Sequence, residues 1–270
     1  MTIATTIDWR QELVAHCADY LLINAGFIND PGLWTGKLGI ASALLAYSET
    51  NGSTIYNDFA ADLLEDMYMQ VDRQTGIGYA NGLTGIVAGL SYLQRADYIS
   101  LDLTESMMEA EAAITAAIEY PDLSSLTDVA GMLYYLHRRY QDEINAGRTL
   151  VAAGFQAQLQ RLQERIATLS LAEATNEERL LLSHITGIPT TAKLQLKEEQ
   201  YVYRFYLLHK AGQNTDQLAD QLRAGEKWKT LLKANAMGLK DGVAGLLLMM
   251  LADQNKKALD MYQQLCWFDI

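Results

Sequence analysis

A nine-residue string recurs along this chain at steps of 46, 46, 56 and 58 residues, and it constrains the fold more than any other feature. Its three clearest copies run Gly32-Leu-Trp-Thr-Gly-Lys-Leu-Gly-Ile40, Gly78-Tyr-Ala-Asn-Gly-Leu-Thr-Gly-Ile86 and Gly238-Leu-Lys-Asp-Gly-Val-Ala-Gly-Leu246. Two weaker copies span Ser124 to Met132 and Leu180 to Ile188. The last glycine of each copy is Gly39, Gly85, Gly131, Gly187 or Gly245. Four positions earlier stand Thr35, Asn81, Thr127, Ser183 and Asp241, all residue types whose side chains cap helix N-termini. Apolar residues follow the glycine at helical spacing, as in Ile86, Leu90 and Leu93 of the second copy. Each copy therefore reads as a glycine-rich loop, a cap and an apolar helix. A step of this length suits one helix pair with its connections, as in helical arrays.

Between the apolar helices lie amphipathic ones. The periodicity predicts helices over 8–24, 36–49 and 55–71, one after the Gly76–Gly85 loop that ends near Arg95, and others over 103–119, 128–141, 147–169, 201–210, 215–235 with a break at Gly225, 242–253 and 257–267. Only three prolines interrupt the chain. One of them, Pro189, falls inside the fourth copy and removes a backbone donor there. No stretch reads as a strand. Helices that are apolar all round must be buried, so the economical packing is all-α: an α/α toroid (barrel) of apolar inner helices ringed by amphipathic outer ones. An open solenoid of helix pairs is the alternative. Residues 1–270 read as a single toroid domain, with the first helix expected beside the last where the ring closes.

A formal net charge of −12 argues against nucleic acid or an anionic membrane as partner. The longest strongly apolar run, Gly242 to Ala252, is too short to span a bilayer. The first residues have neither the basic start nor the apolar run of a secretory signal. The two cysteines, Cys17 and Cys266, do not form a disulfide framework. A cytoplasmic protein is expected.

Because every glycine loop precedes an inner helix, the loops share one polarity and should open at one rim. There, helix N-termini would present partial positive charge and free N–H groups to a carboxylate or a peptide carbonyl. The candidate ligand-binding residues on that rim are Trp34, Thr35, Lys37, Tyr79, Asn81, Asp128, Lys240 and Asp241. The best candidate for chemistry is His184, which follows the cap of the fourth copy. The pair His16-Cys17 cannot converge on a metal, since adjacent helical residues point about 100° apart. His137 and His209 sit near helix C-termini, where they fit the dipole. Glu65-Asp66 and Glu177-Glu178 read as solvated faces. No phosphate loop, dinucleotide fingerprint, nucleophile elbow or zinc-protease helix is present.

The alternation of helices with Gly-x-x-x-Gly-x-x-Gly-Ile at residues 32–40 and 78–86, and its near copy at 238–246, resembles the lanthionine synthetase C-like family. The resemblance implies a toroid of inner and outer helices. In catalytic members it implies a zinc ion at one mouth, held by Trp-Cys-Tyr-Gly-like and Cys-His-Gly motifs, which activates a peptide cysteine for addition to a dehydrated serine or threonine. This chain departs from those motifs. Leu182, Ser183 and His184 take the Cys-His-Gly place in the fourth copy, and Lys240, Asp241 and Gly242 take it in the fifth. The expectation is a chain with no metal and no cofactor: a non-catalytic or zinc-independent component of peptide maturation that binds a peptide or a peptide-maturation enzyme. An enzyme acting on a peptide or a small carbohydrate-like substrate at the mouth, and a structural or assembly module, are the alternatives. Fold alone does not choose among them.

Overall fold

The structure is a computed structural model that describes residues 9–100, 107–119, 126–166, 200–224 and 236–266, with Arg179, Ser183, Trp228 and Lys229. Every regular element among them is helical: α1 (Trp9–Asn24), a 3-10 turn (Ala25–Phe27), α2 (Lys37–Asn51), α3 (Thr54–Gln70), α4 (Leu83–Arg95), α5 (Met108–Glu119), α6 (Leu126–Asn145), α7 (Thr149–Ile166), α8 (Tyr201–Lys210), α9 (Asp216–Ala224), α10 (Val243–Leu251) and α11 (Lys256–Leu265). The all-α expectation holds, and the alternation of apolar with amphipathic helices is consistent with the α/α toroid class. The chain forms two compact units, one of residues 1–72 with 197–266 and one of residues 73–196 with 267–270. Among the described residues, no helix is long and apolar enough to cross a membrane.

The first unit is built around α2 and α10. All nine residues of α10 are buried, as are Lys37 to Tyr47 of α2. The reason is compositional: α10 is apolar on every side, so it has no face to give to water. The two helices pack against each other; α1 and α8 lie on α10, and α3 lies on α2. Gly39 and Gly245 leave room for the carbonyls of their own loops, Leu33 O and Leu239 O, and for a packed neighbour. A Cβ on Gly39 would lie 2.9 Å from Leu239 Cβ, and one on Gly245 would lie 2.9 Å from Val202 Cγ1. The terminal helices α1 and α11 share α2 and α10 as neighbours. Arg10 ties α1 to the turn after α10 and to the start of α9, with guanidinium nitrogens 2.6 Å from Asp253 and 2.6 Å from Asp216. His209 is held at the far end of α10, its Nε2 3.0 Å from the Met249 carbonyl.

The second unit packs α4 against α5 and α6, with α7 laid along α6. Gly147 ends α6 in the left-handed region (φ 73°), and Arg148 N closes back on Glu143 O at 2.9 Å. This is the αL stop that favours glycine. Asp97 ends α4 in the same region without being glycine (φ 61°).

One glycine has no such reason. Gly154 lies inside α7, and a Cβ built there meets nothing within 4 Å. Gly154→Ala should therefore stabilise the fold by about 0.8 kcal/mol through helix propensity alone. A rise of roughly 2 °C in thermal midpoint is the expected reading; an unchanged or lower midpoint would show that α7 is contacted there.

Candidate functional site: the glycine loops

Three of the repeated loops share one backbone geometry. The N-cap of α2 is Gly36, of α4 Gly82 and of α10 Gly242, each with extended backbone and no side-chain cap bond. The next residue donates seven positions back: Lys37 N to Asp30 O, Leu83 N to Gly76 O and Val243 N to Ala236 O, each at 2.8 Å. A second donor follows in two copies, Thr84 N to Ile77 O at 3.3 Å and Ala244 N to Met237 O at 3.1 Å. The loop thus folds back over the start of its own helix. The price is steric: a Cβ on Gly36, Gly82 or Gly242 would fall on the backbone nitrogen and carbonyl of Gly32, Gly78 or Gly238 respectively.

This geometry corrects two expectations. Thr35, Asn81 and Asp241 are not the N-cap residues; they lie one residue outside glycine N-caps. Helix α6 begins at Leu126, which places Thr127 and Asp128 inside its first turn. Ser183 is helical, while His184 and the rest of the fourth copy lie outside the described residues. The physical reason is that loop carbonyls accept from the orphan N–H groups of the first turn, so no side chain is required. For the same reason the donors named above are already engaged and are not free to hold an anion.

In the first unit, Trp34 is 6 % exposed. Its Nε1 donates to Leu265 O at 3.2 Å, and its carbonyl accepts from Leu239 N at 2.6 Å. The ammonium of half-buried Lys240 lies 4.0 Å from the Trp34 ring centroid, a cation–π contact. Tyr262 Oη donates to Lys240 O at 2.8 Å. Asp241 is exposed. Thr35 is exposed and donates to Asp30 Oδ2, while Asp30 Oδ1 accepts from Gly32 N at 2.7 Å. Asp30 is thus the brace of this loop, and its signal was local: an aspartate before Pro31-Gly32 is turn chemistry. Lys37 does not face a ligand. It is 2 % exposed, with its ammonium 3.1 Å from Asp66 Oδ2. The Gln70 side-chain oxygen, in the amide orientation that satisfies its neighbours, accepts from the same ammonium at 2.8 Å.

In the second unit, Tyr79 is fully buried, its ring edge-on to Tyr134 at 5.9 Å between centroids. Its backbone N donates to Asp128 Oδ1 at 3.1 Å. That carboxylate also lies against Gly78, where a Cβ would strike it. Thr84, which sequence reasoning passed over, is buried and donates to Ile77 O. Asn81 is exposed. The two units repeat one device. Tyr79 and Leu239 occupy the same position in their copies, and each N–H is accepted by another copy: the second by the Asp128 carboxylate of the third, the fifth by the Trp34 carbonyl of the first. Trp34, Thr35, Lys240 and Asp241 come together in one unit, and Tyr79 and Asp128 in the other.

The described residues do not fit a zinc ion. Among them, no group of three or more His, Cys, Asp or Glu is placed to hold a metal. Zinc sites use thiolates and imidazoles. Both cysteines are buried in the first unit as free thiols, and burial pushes the Cys17 thiol up to about 12, which keeps it neutral. His16 Nδ1 lies 2.8 Å from the Glu12 carbonyl of its own helix.

No curated protein and no solved structure matches the chain. One family does, under the description lanthionine synthetase C-like protein, over residues 28–184. The match starts just before the first glycine loop, takes in the loops of the second and third copies, and covers more than half of the chain. With the repeated loop and the all-helical fold, it establishes that the chain belongs to the lanthionine synthetase C-like family.

Proposed function

We propose that this chain is a zinc-independent, non-catalytic member of its family that binds a peptide, or the enzyme that carries one, during peptide maturation in the cytoplasm. The observation that carries the reading is the fifth glycine loop. Where catalytic members of the family place a cysteine and a histidine, this chain places Lys240 and Asp241. The ammonium rests on the Trp34 ring and the carboxylate is exposed beside it. A neighbouring cation and anion suit the polar groups of a peptide, and a fixed ammonium at that place opposes a second cation. Exposed Thr35 adds a hydroxyl to the same loop edge. Cys17 and Cys266, buried as free thiols, fit a reducing compartment.

The full chain should bind serine-, threonine- and cysteine-rich precursor peptides in calorimetric titrations, with no change on adding a chelator. The double variant Lys240→Gln with Asp241→Asn should weaken that binding roughly tenfold, a loss of about 1.4 kcal/mol. Both positions lie outside the buried core, so the variant should melt like the parent. Equal binding by parent and variant would remove these residues from the site. Zinc-dependent thioether formation by the purified chain would overturn the reading altogether.

A further inference from the structure

The outward face of α3 carries a stripe that its packing does not explain. Ile55, Asp58, Asp62, Glu65, Asp66 and Met69 fall within an arc of about 100° at the helical pitch. The stripe is about 21 Å long, from the rise of 1.5 Å per residue. The helix contains no lysine or arginine. Among the described residues, Asp58, Asp62 and Glu65 make no ion pair, and only Asp66 does, with Lys37. On the polar face of an amphipathic helix, charged and polar residues prevail. This one ends in two large apolar side chains held in water, Ile55 at 61 % and Met69 at 78 % exposure. The Asp66–Lys37 pair sets its Met69 end beside the first turn of α2, which the first glycine loop covers.

We infer that the outward face of α3 docks a basic amphipathic helical segment of a peptide or protein partner, with apolar side chains covering Ile55 and Met69 and lysines or arginines over the four carboxylates between them. Charge complementarity selects this occupant. A second copy of the chain would bring one acidic surface against another, each molecule carrying a net charge of −12. A purely cationic ligand would leave both apolar ends uncovered. A helical segment matches the stripe because its own side chains repeat at the same i, i+3, i+7 spacing. The inference deepens the peptide-binding reading by naming a surface that leads to the first loop, and its test separates the two.

The probe is a labelled synthetic helix of about 18 residues, with leucines near both ends and lysines at i, i+4 and i+7 between them. Its binding to the full chain is followed by fluorescence anisotropy. Binding is expected to weaken roughly tenfold when salt is raised well above physiological strength. It should weaken about tenfold in Asp58→Lys/Asp62→Lys, and separately by about threefold in Met69→Ser. All three positions are exposed, so the variants should fold. Lys240→Gln should bind the probe like the parent; if it alone loses binding, the probe sits at the loop and the α3 proposal is wrong. Polylysine binding as tightly as the probe, with no effect of Met69→Ser, would reduce the stripe to an undirected acidic surface and overturn it. So would a dimer of the parent in sedimentation that Met69→Ser dissolves, since a second copy would then be the occupant.

Discussion

Replacing Gly242 with alanine is expected to cost the first unit about 4 kcal/mol or more, a loss reserved for steric and core defects. The added methyl would land on the Ala236 carbonyl and on the backbone of Gly238, and neither is the movable end of a side chain. To make room, the loop must release Val243 N from Ala236 O, leaving a buried donor without its acceptor. The helix that would move is α10, whose nine residues are all buried and against which α1, α2, α8 and α11 pack. Gly82→Ala should behave alike in the second unit, where the methyl meets Gly76 O and the backbone of Gly78. Gly76→Ala is the matched control. It lies in the same loop, yet a Cβ there meets nothing within 4 Å, so its effect should stay within about 0.5 kcal/mol. Denaturant titration of the three variants decides the matter: equal midpoints for Gly242→Ala and the parent would mean that the loop does not close on its own backbone.

The second large effect is expected at Glu143, whose side chain is 3 % exposed between α6 and its neighbours. Both carboxylate oxygens accept from Arg148, through Nε and through Nη2, the latter at 3.0 Å. Arg139 stands 3.7 Å away and carries the network on to Glu111 at 2.9 Å, which also accepts from Tyr135 Oη at 3.1 Å. The Arg139 guanidinium lies over the Phe155 ring at 5.1 Å, so α5, α6 and α7 are joined through one cluster. The Arg148 hydrogen bonds hold the Glu143 carboxyl below its ordinary value, against burial, which acts the other way. Glu143→Gln should cost about 2 kcal/mol at neutral pH, the worth of a hydrogen bond to a charged group. A larger figure is not expected, because the Arg148 side chain is 59 % exposed and rehydrates.

The pH dependence of that loss has a fixed sign. A carboxyl that is more acidic in the folded chain than in the unfolded one stabilises the fold above its unfolded value, about 4.3 for glutamate. That stabilisation fades as pH falls through the lower folded value, because the unfolded chain then binds more protons. Parent and Glu143→Gln should therefore differ most in urea midpoint near neutrality. The two should converge as pH falls below about 4.3. A difference that grows with acid would place the stabilising charge elsewhere.

Much of the architecture was readable without coordinates. The expected helices over 36–49 and 201–210 are α2 (Lys37–Asn51) and α8 (Tyr201–Lys210), while Gly225, where a break was expected, lies outside the described residues. Side-chain periodicity is a local property, and these segments carry it strongly. The candidate site was read less well. The residue types at Thr35, Asn81 and Asp241 are those of helix caps, and cap chemistry is also local, yet a backbone solution outcompeted it. Lys37 looked like a rim cation, but its ammonium turns to Asp66, a partner 29 residues away that no spacing rule points to.

The sequence by itself determined that this chain is all-helical, that its glycines recur before apolar helices and that it belongs with the lanthionine synthetase C-like proteins. Tertiary structure decided what those glycines are for. It showed that they let backbone close on backbone, so that the first N–H of α2, α4 and α10 is accepted by a carbonyl of its own loop. It also buried Trp34 and Tyr79, leaving Lys240, Asp241, Thr35 and Asn81 as the polar groups at the loop edges. The physical reason is that helix formation depends on neighbours three and four residues apart, which a sequence displays. Which carbonyl or carboxylate accepts from a given N–H depends on groups that meet only after packing, such as Asp128 at Tyr79 and the Trp34 carbonyl at Leu239.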